Sequence, residues 1–562
     1  MDRNQLIGLT LISVMLITYT QFFAPQPPVK PVTTQEVSTA NVPAPSQEEA
    51  SQATTPSVAS LAQYGPFAPA MRGTEREVVL ENEAMKVTFS SRGGRIKEVI
   101  LKNYQNHHNQ PLTLLDSQSS DMGFRLSTQG KQFNTNDLFF TTAVRKPTLK
   151  EGHKVIFTST VGPGRYIRHT FTLPHKGYKL GHAWEMKGLK DVLDSTPVQF
   201  VWHDRIKRVE KDVKAGRRKT TINYYGADGK FAHLKEQSDK PQERLLQDPI
   251  QWVSVKQRFF TAGIISEQAF AHGHVAMTPT PQDADTVKEA QVSLTLPESD
   301  KAENPQGRFT FYFGPNDYQA LKQVTKGFSK NIYLGWPVVR WINQLLIIPV
   351  FGFLEQYISN YGIIIILLVI FIKSLLLPLS YSSYLAMAKM RVLKPALDAL
   401  KAKHGQDMQK IQMEQMNLYR EMGINPLSGC IPVLLQMPIL LAMFNFFPNA
   451  IALRQQSFLW AGDLSTYDAV LNLPFRIPVY GSHVSLFALL MTGSTILYTW
   501  SNNQLTPTQE GPMKAMTYIM PLTFMFVLNS FPAGLSFYYF ISNVVTIGQQ
   551  SMIKRFVDEE KV

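Results

Sequence analysis

Cysteine is almost missing from these 562 residues; Cys430 stands alone. That excludes an internal disulfide and any cysteine-rich metal cluster, so each folded part must be held by its own core. His153, His169, His175, His182 and His203 lack metal-ligand spacing, and adjacent His107 and His108 are expected on opposite faces of a strand. There is no Gly-x-Ser-x-Gly elbow, no Walker loop and no His-Glu-x-x-His. No metal or cofactor is expected, and no nucleotide is invoked. Charge is scarce in the long apolar runs: apart from Lys373, none of the expected spans holds an Asp, Glu, Lys, Arg or His in its interior. A secondary transporter of a small solute or anion would want buried acids and inverted repeats, and neither is visible.

What is present divides the chain into a polar first half and a second half with long apolar runs, which the overall 44% apolar content conceals. The net charge of +13 is compatible with nucleic acid, anionic lipid or cytoplasmic loops. The run from Asn360 to Ser380 is long enough to cross about 30 Å of hydrocarbon. Lys373 interrupts it. A lysine at the centre of a spanning helix costs on the order of 2.5–3.5 kcal/mol on insertion scales. Its place in the run puts it roughly 10 Å inside the boundary at the Ser380 end. Either it still reaches the headgroups, or it sits in a wet recess among helices, the sharper reading.

Residues 1–23 read as an uncleaved signal anchor, because the run from Leu6 to Phe23 ends without a small-x-small site. Residues 24–75, rich in Pro, Gln, Ser and Thr, read as a disordered tether. From 76 to 325 the pattern is period two: Met85, Val87 and Phe89; Ile167, His169, Phe171 and Leu173; Val292, Leu294 and Leu296; Phe309, Phe311 and Phe313. Turns such as Ala227-Asp228-Gly229 separate these runs, predicting a large all-β antiparallel sandwich outside the cytoplasm that suits binding rather than catalysis. Residues 331–358 mix Trp336, Trp341 and Phe351 with Arg340 and Glu355, as an interfacial amphipathic helix would. Pro337 and Pro349 argue against reading them as part of a span.

After the span at 359–380, residues 381–427 predict a helical hairpin with its turn and N-cap in His404-Gly405-Gln406-Asp407. Lys389, Arg391, Lys394, Lys401, Lys403, Lys410 and Arg420 place it in the cytoplasm. Four more spans fill 428–553 and a tail follows at 554–562, giving a polytopic α-helical membrane protein of six spans with both termini in the cytoplasm. Gln436 sits mid-span, and Tyr539 and Asn543 share one face of the last span. With Lys373 they are candidates to line one recess, although each alone is more often interhelical glue. Met387, Met390, Met408, Met413 and Met416 make the hairpin either an adaptable recruiting surface or simply its own core.

Ala386-Met-Ala-Lys-Met390, Asn425-Pro-Leu-Ser-Gly-Cys-Ile-Pro432, Gln436-Met-Pro-Ile439, Phe531-Pro-Ala-Gly534 and Tyr538 through Thr546, with Gln549-Gln550, closely resemble the YidC/Oxa/Alb family of membrane protein insertases. The match spans about 335 to 555, and the anchor, tether and outer sandwich look like the Gram-negative bacterial YidC arrangement in the inner membrane. The resemblance implies a five-helix core whose hydrophilic groove opens to cytoplasm and lipid, and a hairpin that recruits substrates. It implies nascent membrane proteins as clients, with the Sec translocon, the ribosome and membrane lipids as partners. Gln436 and Tyr539 match polar groove positions of the family. Where the family's groove commonly carries an arginine, this chain has Lys373, which keeps the charge without the planar fork.

Overall fold

The computed structural model describes residues 64–148, 152–297, 306–382, 394–405, 407–421, 431–478, 480–503 and 512–559. The expected anchor, the tether up to residue 63, Met387, Met390, Cys430 and the end of the tail lie outside them.

The alternating runs build antiparallel sheets. One has nine strands, in the order Phe231–His233, Thr221–Gly226, Ile250–Lys256, Phe260–Phe270, Gln306–Pro315, Lys179–Lys187, Arg165–Leu173, Gly152–Gly162 and Thr141–Thr148. A six-stranded sheet faces it, ordered Gln242–Leu246, His272–Pro279, Thr286–Thr295, Gln199–Lys207, Ser120–Thr128 and Lys131–Asn134. Glu77–Glu81, Met85–Ser90, Arg95–Gln105 and Pro111–Leu115 form a four-stranded sheet. Period two puts alternate side chains on one face, and Met85, Val87, Phe89, Ile167, Phe171, Leu294, Phe311 and Phe313 are all buried in one core. Phe124 of the six-stranded sheet stacks on Trp184 of the nine-stranded one, 5.0 Å between centroids.

Two expectations are corrected here. The sandwich begins before residue 76: Gly65–Met71 forms a 3-10 helix whose Phe67 is fully buried, 4.8 Å from the Phe133 ring. The tether reading failed there because Phe67 and Met71 supply enough apolar surface to dock even a Pro-rich segment. His107 and His108 do not sit on opposite faces of a strand; they lie in a turn with their rings 3.9 Å apart.

Two short helices belong to the sandwich and its exit: α1 (Val213–Lys219), capped by Asp212, and α2 (Tyr318–Lys322), capped by Asp317. Helix α3 (Pro337–Glu355) is continuous, so Pro349 does not end it. The backbone widens to a π-turn over Asn343–Ile347, where Ile348 N–H reaches back to the Asn343 carbonyl. Pro349, which has no N–H to give, follows that wider turn. Among the described residues α3 is the one helix long and apolar enough to cross a membrane by length and composition.

Helix α4 (Tyr361–Leu375) stops at Leu376 and helical backbone resumes at 377, because Pro378 cannot donate to the preceding turn. The hairpin is α5 (Lys394–His404) and α6 (Met408–Glu421), packed through Leu397, Leu400, Leu418 and Tyr419. Gly405 at φ +59° turns the chain, and Asp407 caps α6 through Lys410 N–H at 3.2 Å. The remaining helices are α7 (Ile431–Phe446), α8 (Leu486–Asn503), α9 (Pro512–Leu528) and α10 (Ala533–Glu559). Helix α10 packs on both α4 and α8, and α9 packs on α8.

The segment between α7 and α8 joins the two halves of the chain. Ala533 and Gly534, opening α10, donate to the carbonyls of Thr466 and Leu464 at 2.6 and 2.9 Å. Asp468 accepts from Trp460 Nε1 at 2.9 Å and from Phe487 N–H at 3.0 Å, fixing the start of α8. The same segment grips the sandwich. Arg454 pairs with Glu210 at 2.7 Å and donates to the Gln105 carbonyl at 2.6 Å, and Arg258 donates to the Ser465 carbonyl at 2.6 Å.

Candidate functional site among the helices

Lys373 lies in the last turn of α4, on the face carrying Ile365, Val369 and Ile372 rather than the exposed Ile370 and Phe371. It is 6% exposed. Its Nζ donates to Gln436 Oε1 of α7 at 3.2 Å, and Gln549 of α10 donates to the Lys373 carbonyl at 3.3 Å. Three helices therefore meet at this residue. Among the described residues no carboxylate stands within ion-pair distance of the ammonium. An ammonium has three donors, and Gln436 takes one. The site is more closed than the wet recess expected from the sequence.

The four candidate groove residues do not form a single hydrogen-bonded cluster. Lys373 and Gln436 meet directly. Asn543 instead donates to Ser494 Oγ and Thr495 Oγ1 of α8 at 3.0 and 2.8 Å, tying α10 to α8. Tyr539, one turn away, packs its ring on Phe444 of α7 at 5.7 Å. Measured along α10, Asn543 and Tyr539 lie about 9 and 15 Å from Gln549, towards the start of the helix. They occupy successive levels above the lysine.

Sequence reasoning missed Gln549, Ser494 and Thr495 as contributors. A signal existed, since amides and hydroxyls are sparse in apolar runs and each marks a candidate interhelical bond. Which helix faces which is a tertiary fact. In the hairpin, Met413 and Met416 are 62% and 43% exposed and stand outside the cluster of Leu397, Leu400, Leu418 and Tyr419, so they are surface rather than core. Met408 opens α6, and its side chain lies outside the described residues.

The sandwich holds polar groups of another kind. His169 Nδ1 and His182 Nε2 lie 3.1 Å apart on neighbouring strands, buried among Phe124, Phe171 and Phe311. Burial pushes His169 down to about 3 and His182 well below its ordinary value. Asp204 is pushed up to about 8 by burial and by the nearby Asp116. These groups make no metal cluster; among the described residues no set of three or more potential ligands converges.

Comparison with known proteins decides the family. A family model described as the YidC periplasmic domain matches residues 77–348, and one described as 60Kd inner membrane protein matches residues 353–560. A protein of Amoebophilus asiaticus named "Membrane protein insertase YidC" is 56% identical over 569 residues, covering 100% of this chain and 94% of that protein. This chain belongs to the YidC family of membrane protein insertases. A protein of the same name from Cytophaga hutchinsonii is 46% identical over 574 residues, covering 100% of this chain and 92% of that protein. The crystal structure of an active YidC insertase with its first transmembrane domain resolved aligns at 18% identity over 85% of this chain and 92% of that chain, with a TM-score of 0.34. The chain is accordingly a membrane protein insertase of the inner membrane, with a large β-sandwich periplasmic domain followed by a helical region. The transporter reading finds no support, and the family is one of insertases rather than enzymes.

Proposed function

We propose that the chain works as an insertase by holding a short hydrophilic segment of a nascent membrane protein at Lys373 while the apolar segment beside it passes into lipid. The single observation that carries this reading is a buried cation whose hydrogen-bond partner is a neutral amide. Such a group retains both charge and donors for an incoming carboxylate or backbone carbonyl. Burying polar backbone without partners costs several kcal/mol per group, on the order of 2–7. A polar station within the helices lowers that cost for the passing chain. The apolar segment leaves along exposed Met437 of α7 and Ile519, Leu522 and Phe526 of α9, driven by hydrophobic transfer and, for acidic segments, by the membrane potential.

The remaining assignments belong to the same proposal. Six spans place both termini in the cytoplasm and the sandwich in the periplasm. Helix α3 lies at the membrane interface, in keeping with exposed Trp336, Trp341, Leu345 and Phe353 opposite buried Val339, Ile347 and Phe351. The hairpin, with Met413 and Met416 outward, recruits clients delivered by the ribosome or the Sec translocon.

The test is insertion of single-span clients with acidic or neutral leading segments into proteoliposomes. Lys373→Ala should impair the acidic clients most and Lys373→Arg should be tolerated; an alanine variant equally active on every client would refute the role of the charge. Crosslinking from position 436 or 539 to a stalled nascent chain would place the client directly.

A further inference from the structure

Between α7 and α8 the chain forms a two-stranded ribbon, Leu471–Ile477 paired with Gly481–Val484. Its inner strand is fastened to the helix ends. His483 Nε2 donates to the Asn529 carbonyl at 2.9 Å, just past α9, and Asn529 Nδ2 donates to the Tyr480 and His483 carbonyls at 3.0 and 2.8 Å. Ser485 N–H donates to Asn529 Oδ1 at 2.9 Å, one residue before α8 begins. Among the described residues the outer strand has no second neighbour.

Its side chains are unpartnered as well. Val470, Leu471 and Phe475 are 46%, 56% and 61% exposed, and Leu459 and Trp460 on the preceding turn are 68% and 40% exposed. That exposure remains with the sandwich docked; Trp460 is held, its Nε1 on Asp468 and its ring 4.4 Å from Phe487, but no described segment of the chain covers the others. An isolated two-stranded hairpin is marginally stable in water, and an apolar edge strand invites association. From Ala469 to Ser482 the one charged residue is Arg476. Tyr467 stacks on His483 of the inner strand at 3.7 Å and Tyr480 packs on Phe526 of α9 at 5.4 Å, so aromatic contacts hold the inner side of the ribbon.

We propose that this ribbon is a membrane-surface element. Val470, Leu471 and Phe475, with Leu459, enter the outer leaflet beside the helices, and Arg476 faces lipid phosphate. Continuity argues for lipid over a protein partner. The inner strand runs directly into α8, on which Leu489, Leu497 and Trp500 are also exposed. The ribbon thus widens the insertase's footprint at the outer surface and fixes the tilt of the α7–α8 connection.

The experiment uses the full-length protein with Cys430→Ser, carrying Phe475→Cys, Leu497→Cys or Leu245→Cys labelled with an environment-sensitive fluorophore. Leu245, on the sandwich edge, is 71% exposed and serves as the aqueous reference. The protein is reconstituted into vesicles of phosphatidylethanolamine and phosphatidylglycerol, with or without lipids brominated near the headgroup. The label at 475 should lose emission with brominated lipid, resist aqueous iodide and emit to the blue of the label at 245. Quenching by iodide alone, matching 245, overturns the proposal. Shielding from iodide without lipid quenching also overturns it, by showing that a protein surface covers the strand. The label at 497 reports separately whether α8 faces lipid, so failure of the spanning assignment is distinguishable from failure of the ribbon.

Discussion

Replacing Glu210 by alanine should release the sandwich from the membrane-side segment while leaving each part folded. The Arg454 and Glu210 side chains are 2% and 9% exposed and 2.7 Å apart. Burial raises the Glu210 carboxyl above its ordinary value, while the adjoining Arg454 opposes that rise. Removing one member of such a pair strands the other charge, at a cost of about 3–5 kcal/mol. With every 1.4 kcal/mol worth about tenfold, the docked population should fall by roughly two to three and a half orders of magnitude relative to the undocked one. Gln455 Nε2 lies 3.1 Å from the Asn106 carbonyl, which supplies the assay. In a Cys430→Ser background, Asn106→Cys and Gln455→Cys should crosslink readily through a short bis-thiol reagent, and Glu210→Ala should abolish most of that yield. Glu210→Leu combined with Arg454→Met should recover most of it, because no unpaired charge remains buried. Undiminished crosslinking in the single variant would refute the reasoning, as would a double variant no better than the sum of the singles.

The buried histidines predict an acid limb. His169 titrates in the folded state well below 6.5, so its contribution is complete above pH 6.5 and is lost as pH falls towards about 3. With Asp204→Asn removing an opposing titration, moving from pH 7 to pH 5 should cost the sandwich about 2 kcal/mol through His169 in thermal melts, and adding His169→Gln should reduce the loss by that amount. Asp204 acts in the opposite sense: its pKa is raised from 3.8 to about 8, so its contribution is complete below pH 3.8 and disappears as pH rises through 8. Asp204→Asn should remove the alkaline limb of the same melts. Asn543→Ala gives up two interhelical bonds and should lower stability in detergent by about 1 kcal/mol while insertion persists; complete loss of insertion would move Asn543 into the client path. Gly362→Ala puts a Cβ 2.1 Å from the Phe458 ring and should cost about 1–3 kcal/mol of stability, and an unchanged melting temperature would show that the loop gives way freely.

Local pattern determined a good deal of this protein. Period-two alternation at Met85, Val87 and Phe89 and at Phe309, Phe311 and Phe313 specified strands and their buried face, because side-chain direction in a strand is a local property. The hairpin turn at Gly405 and its cap at Asp407 were legible for the same reason. Proline acts differently in two places: a π-turn carries α3 through Pro349, while Pro378 interrupts the helix after α4.

Tertiary structure decided which polar groups meet. Lys373 is conspicuous as the one charge in an apolar run, but that Gln436 rather than Tyr539 or Asn543 accepts its hydrogen bond depends on how α4, α7 and α10 cross. Asn543 looked equivalent to Gln436 from its spacing and is occupied by Ser494 and Thr495 instead. Arg454 and Glu210 are 244 residues apart. Each looks like an ordinary surface charge in its own stretch, and only the docking of the sandwich on the α7–α8 segment takes both out of water. Periodicity tells a side chain which way to face; what it faces is set by contacts between segments far apart in the chain, and those carry no local signature.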